Sequence, residues 1–175
     1  MTFTVDHSAS NAKKPAGRYE VIVEQVKPSF TRKNNPCLNF VLVIRNDVDN
    51  PVKGGKLFCS LYKKKQPTAA DLAVDGYSAA QIQGWCKAAR IENGRQFDRL
   101  EDLCQALAGA LVSVELSYEP GEGDRSYERV SWPEETHFPD CRHRAAAAPG
   151  TAGSTLPPAA QAAEFTEIND DDVPF

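Results

Sequence analysis

From Arg18 the chain alternates, with Tyr19, Val21 and Val23 on one face and Glu20, Ile22 and Glu24 on the other. A period of two predicts a half-buried strand over RYEVIVEQV. KPSFTRKNNP follows as a polar, basic loop. CLNFVLVIR, apolar on both faces near its middle, predicts a second and internal strand. NDVDNPVKGG is turn-rich, and KLFCSLYKK alternates again as a third strand. From Thr68 the spacing becomes helical, with Ile82, Trp85, Cys86 and Ala89 on one side of TAADLAVDGYSAAQIQGWCKAARI and Ser78 as N-cap. In DRLEDLCQALAG, Leu100, Leu103, Cys104 and Leu107 share a second helical face, and Gly109 stops it. ALVSVELSYE and RSYERVSW return to period two around the hairpin loop PGEGD. Pro133 and Pro139 close the ordered body near Arg144.

Three strands, a helical insert, then two strands predict a mainly β protein. The arrangement expected is a five-stranded OB-fold-like barrel with a helical insert between strands 3 and 4. A five-stranded sandwich or an α+β sheet would give the same order. The expected organisation is a flexible N-terminal arm over 1–16 and an OB-like domain over 17–144. A disordered Ala/Pro/Gly linker over 145–163 and an acidic tip over 164–175 complete it.

Hydrophobic residues make up 41% and charged residues 25% of the chain, enough for a packed core and a soluble surface. No apolar run approaches the roughly 18–20 residues of a membrane helix, and MTFTVDHSASNAKKPAG lacks a signal-peptide core. A cytoplasmic protein is expected. The five cysteines, Cys37, Cys59, Cys86, Cys104 and Cys141, form no CxxC pair and read as free thiols, mostly core-filling. His137, Cys141 and His143 match no zinc spacing. Glu119, Glu122 and Asp124 fall in or beside a Gly-rich turn, and no nucleophile–base pair stands out. No enzyme activity, metal or cofactor is expected.

Charge is distributed unevenly. All 20 Lys and Arg lie at or before Arg144, whereas five of the 24 acidic residues lie after it. The body is close to neutral and the tail purely acidic, a pattern of interaction tails.

The body carries the ingredients for holding a single-stranded nucleic acid: cations that track phosphates and aromatic faces on which bases stack. The first loop offers Lys27, Phe30, Arg32 and Lys33. On the third strand Leu57, Cys59 and Leu61 face the core, which turns Lys56, Phe58, Tyr62 and Lys64 outward, with Lys63 and Lys65 beside them. Tyr127 and Trp132 rank behind these, Trp132 because it shares the face of Val130 and so joins the core. The opposing reading is that the helical insert covers Phe58 and that the lysines only solvate a sheet edge.

The last residues, NDDDVPF, follow a stretch too poor in large apolar side chains to fold. Asp170, Asp171 and Asp172 suit a ring of Lys or Arg on a partner, and Phe175 suits a small apolar pocket with an arginine for its carboxylate. Val173 and Pro174 set the spacing, and proline lowers the ordering cost of the peptide.

This tip resembles that of the bacterial single-stranded DNA-binding protein family, which ends Asp-Asp-Asp-Ile-Pro-Phe. Asp170, Asp171, Asp172, Pro174 and Phe175 match, and Val173 replaces the isoleucine. The resemblance implies recruitment of replication, recombination and repair enzymes through the tip. The body, through GRYEVIVEQVKPSFTRKNNPCLNFVLVI, is similar to phage and mobile-element proteins thought to be OB-like single-strand binders. It departs from the housekeeping family by its late first strand and its larger insert, about Ala69 to Gly109. The expectation is a phage- or mobile-element-type protein that coats single-stranded DNA without strong sequence preference. Its oligomeric state, including a homo-oligomer, is left open. The alternative from another class is an adaptor or decoy that uses the tip but binds no DNA.

Overall fold

The computed structural model describes residues 13–121, 123, 126–131 and 133–144. The first part of the arm, Glu122, Asp124, Trp132, the linker 145–163 and the tip 164–175 lie outside the described residues. A compact unit closes at Arg144.

The strands are β1 (Gly17–Phe30), β2 (Pro36–Ile44), β3 (Lys56–Tyr62), β4 (Leu111–Pro120), β5 (Ser126–Val130) and the short β6 (Glu134–Glu135). They form a six-stranded antiparallel sheet in the order β3-β2-β1-β4-β5, with β6 added to β4. β1 is longer than its alternation predicts and absorbs half of the expected basic loop. Beyond Ile22 it has only β2 as neighbour, so Pro28, opposite Leu38, loses no ladder bond on its other side. A register shift between Val23 and Gln25 marks where β1 passes from one set of neighbours to the next. There the Val23 amide donates to Ala110 O at 2.9 Å and Val23 O accepts from the Gly109 amide at 2.7 Å. Such bulges bend a strand and increase its twist.

The period-two positions meet in one core: Tyr19, Val21 and Val23 with Leu38, Phe40, Leu42 and Ile44, then Leu57, Leu61, Val112, Val114 and Leu116. β2 lies inside the sheet as its composition predicts. Three helices stand between β3 and β4: α1 (Ala69–Leu72), α2 (Ala79–Ala88) and α3 (Leu100–Leu107). α2 buries Ile82, Trp85 and Ala88, and α3 buries Leu103, Cys104 and Leu107. The Trp85 ring stacks on Phe40 at 4.3 Å between centroids.

The insert starts differently from the sequence expectation. Thr68 and Asp71 form a capping box on α1, and the chain then turns through Asp75 and Gly76, both at positive φ. Ser78 occupies the N-cap of α2 but its side chain makes no capping bond. Asp71 Oδ1 accepts from the Ala79 amide at 2.9 Å instead, and Oδ2 accepts from Lys64 Nζ at 3.0 Å. The backbone donors of Ala79 and Thr68, followed by Lys64, hold the Asp71 carboxyl well below the usual carboxylate range. One aspartate thus organises two helix starts.

The sheet is open rather than a closed five-stranded barrel. Its two ends, β3 and β5, run parallel to one another, as the antiparallel pairings require, and no ladder joins them among the described residues. The sixth strand returns after β5 to the same edge of β4.

The chain leading to Arg144 is held down by polar groups. Arg45, fully buried, donates to both carboxylate oxygens of Asp47, at 3.0 and 2.7 Å, and to Phe138 O and Asp140 O, each at 2.6 Å. Glu20, expected to face outward, is buried. It accepts from Thr136 Oγ1 at 2.5 Å and from the His137 amide at 3.3 Å. The five cysteines are free thiols, but Cys141 is exposed and so fills no core. No helix among the described residues is long and apolar enough to cross a membrane.

Candidate nucleic-acid interface

Alternation along β3 decides which side chains reach solvent. Leu57 and Leu61 are buried, whereas Phe58 and Tyr62 are 62% and 56% exposed. The helical insert packs on the opposite face, through Trp85 and Phe40, and leaves both aromatics uncovered. Cross-strand partners build the surface around them: Val41 beside Phe58, Asn39 beside Ser60, and Cys37 beside Tyr62. Ser60 Oγ donates to Asn39 Oδ1 at 2.7 Å, which fixes the polar step between the two rings. Lys27 pairs in register with Asn39 and therefore shares this face. Four residues of strand separate Phe58 from Tyr62 by about 13 Å.

The basic loop shrinks to a tight turn over Thr31–Asn35. The Thr31 amide donates to Asn35 O and the Asn34 amide to Thr31 O, each at 2.9 Å, while Thr31 Oγ1 accepts from the Asn35 amide at 3.1 Å. Asn34 takes the left-handed conformation, φ 58°, that asparagine tolerates. Phe30, Arg32 and Lys33 are exposed on this turn. The register Ser29–Cys37–Tyr62 brings the turn to the Tyr62 end of β3, where Lys63, Lys64 and Lys65 follow. Phe30, Arg32, Lys33, Tyr62 and the lysine run therefore gather at one end of the sheet, with Lys27 and Phe58 further along it. Lys56 lies at the far end.

The cations are not equivalent. Lys56 Nζ contacts Glu24 at 2.5 Å, Lys63 contacts Asp75 at 2.7 Å and lies over the Tyr77 ring, and Lys64 contacts Asp71 at 3.0 Å. Lys27, Arg32, Lys33 and Lys65 pair with no carboxylate among the described residues. Exposed pairs such as Lys56–Glu24 contribute about 0–1 kcal/mol and exchange readily for a phosphate. Lys64 differs, because its partner Asp71 is buried and caps α2.

Between the β3 and β5 edges runs a groove of about 640 Å³. Phe58 and Tyr62 stand on one lip, Tyr127 and Arg129 on the other, with Trp85 and Cys59 among the residues beneath. Burial pushes the Cys59 thiol up to about 11, so it stays protonated at neutral pH. Tyr127, ranked low from the sequence, is 58% exposed. The signal that could have found it is the alternation of SYERV, which turns Tyr127 and Arg129 away from the core-directed Val130. Trp132 and the tip residues Asp170, Asp171, Asp172, Val173, Pro174 and Phe175 lie outside the described residues.

These features define an antiparallel-sheet domain with a helical insert on its inner side and an aromatic, partly basic outer surface. The chain belongs to the DUF669 family, described as proteins of unknown function, whose model matches residues 2–147. No curated protein matches the chain significantly.

Proposed function

We propose that the protein binds single-stranded DNA without strong sequence preference and recruits replication, recombination and repair enzymes through Asp170–Phe175. The observation that carries this reading is the pair Phe58 and Tyr62, exposed on one strand face beside a basic turn whose Arg32 and Lys33 meet no carboxylate among the described residues. Base stacking on such rings is sequence-tolerant, since every base has a π face. Lys27, Arg32, Lys33 and Lys65 follow the phosphates, and Lys56 and Lys63 join them by exchanging their carboxylates.

The body is OB-like in this reading. OB-folds use the face of strands 2 and 3 and the loops between strands 1–2 and 4–5. Phe58, Tyr62, the Arg32–Lys33 turn and the β4–β5 loop occupy the corresponding places in the strand sequence. We assign it to the phage and mobile-element type, acting in the bacterial cytosol. The acidic tip, at the end of the Ala/Pro/Gly-rich segment 145–163, reaches a partner while the body stays on DNA.

An adaptor that uses the tip and binds no DNA draws on a specific observation, the engagement of Lys56, Lys63 and Lys64 by carboxylates. Fluorescence anisotropy with a labelled dT oligonucleotide, against duplex of equal length, separates the two. The proposal expects tight, salt-sensitive binding of the single strand and weak binding of the duplex. No binding of the single strand at low salt would leave the adaptor.

A further inference from the structure

The groove between β3 and β5 has two properties that the flat outer face lacks. The first is a preset aromatic wall on its far lip. Tyr127 lies over Gly121, so close that a Cβ on that glycine would overlap the ring, meeting Cδ2 and Cζ at 3.1 Å. A larger residue at 121 would have to displace the ring from this position. One face of the ring is supported there, yet the residue keeps more than half of its surface exposed. An aromatic held in place with surface left open is a stacking platform that needs little ordering when a ligand arrives.

The second property is a polar interior whose charges are balanced. Arg129 pairs with Glu119 at 2.5 Å, and Glu128 with Lys14 at 3.4 Å, so the β5 lip carries matched charges and no net positive one. Among the described residues β3 and β5 each pair on one side only, which leaves backbone N–H and C=O groups of both edges directed at the groove. Aromatic lips over unpaired backbone donors and acceptors suit planar, hydrogen-bonding rings. Arg32 and Lys33, which meet no carboxylate among the described residues, lie outside it on the β1–β2 turn.

From this we propose that the β3–β5 groove is a base-binding slot: phosphates track the Arg32–Lys33 side, and bases turn inward between Phe58 or Tyr62 and Tyr127. Gly121 is the positioning residue for that wall. The slot rests on the single-stranded DNA reading and adds to it a route for the strand. It also gives a reason to reject duplex, whose bases are paired and stacked and cannot enter.

Two measurements on the full chain test it. In the first, dT oligonucleotide affinity is compared among wild type, Tyr127→Ala, Tyr127→Phe and Gly121→Val, with melting curves as a check on folding. One lost stacking contact, about 1–3 kcal/mol, corresponds to a loss of roughly 5- to 150-fold in Tyr127→Ala. Tyr127→Phe keeps the ring and stays within about twofold, while Gly121→Val weakens binding although every aromatic remains. In the second, an oligonucleotide carrying 5-iodouracil is photo-cross-linked to wild type, a readout independent of variant folding, and the adducts are expected on Tyr127 as well as Phe58 or Tyr62. Unchanged affinity in Tyr127→Ala, or cross-links confined to the β3 side, overturns the slot while leaving single-strand binding intact. Failure of wild type to bind dT overturns both.

Discussion

Trp85 lies against Phe40 at 4.3 Å with their planes 21° apart, and this stack joins α2 to the inner face of the sheet directly beneath the β3–β5 groove. Both residues are fully buried or nearly so. Removing such an indole leaves a cavity, and Trp85→Ala is expected to cost about 3–5 kcal/mol. Chemical denaturation measures this directly, and Trp85→Phe should recover much of the loss.

Asp71 links the insert to β3 through Lys64 and to α2 through the Ala79 amide. Asp71→Ala should destabilise the protein by about 1–2 kcal/mol, the range for a lost helix cap. The carboxyls of Asp71 and Asp47 are both held well below the usual range, Asp71 first by the Ala79 amide and Asp47 first by Arg45. In the unfolded chain they titrate near about 3.9. The unfolded state therefore binds more protons in acid, so their contribution is complete above that value and is lost as pH falls towards the folded-state values. Melting temperature should drop below about pH 4, and Asp71→Asn should show a shallower drop than wild type.

Salt separates the cations by role. Each phosphate contact on a single strand contributes about 0.7 to the slope of log affinity against log salt. The double variant Arg32→Ala/Lys33→Ala should therefore flatten that slope by about 1.4 without changing the melting temperature. Lys64→Ala should do the opposite, lowering the melting temperature by freeing Asp71 while leaving the slope near that of wild type. Equal slopes for all proteins would remove the turn from the interface.

The tip should act independently of the body. Deleting Phe175 is expected to weaken binding of a labelled Glu164–Phe175 peptide to a purified repair enzyme of the kind that the single-stranded DNA-binding family recruits by at least about tenfold, as for an anchor residue. Full-length protein with the same deletion should hold dT as before. Partner binding unaffected by the deletion would separate this tip from the family it resembles.

Where the outcome depended on local alternation, it could be read in the chain. Leu57 and Leu61 against Phe58 and Tyr62 set the two faces of β3, and the same period placed Tyr19, Val21 and Val23 in the core. Helical spacing likewise found Ile82, Trp85, Leu103 and Leu107. Where the outcome depended on distant partners, it could not. Glu20 is buried because Thr136 and His137 arrive to satisfy it, and Arg45 because Asp47, Phe138 and Asp140 do. A charged residue alternating with apolar ones carries no local mark of such company. Ser78 looked like the cap of α2, yet Asp71, across an intervening turn, supplies the bond. The open β3–β5 seam is also a property of the whole sheet, since no segment read alone records which edges remain unpaired. Tyr127 was legible in principle, but its seat on Gly121 appears only in three dimensions.

The most direct measurement is the affinity of a labelled dT oligonucleotide for wild type and for Phe58→Ala/Tyr62→Ala, by anisotropy at one low salt concentration. With two stacking contacts at about 1–3 kcal/mol each, the double variant should bind at least about 30-fold more weakly while melting as wild type does. Equal affinity in the two proteins would contradict the account, because the exposed aromatic face of β3 would then have no part in holding DNA.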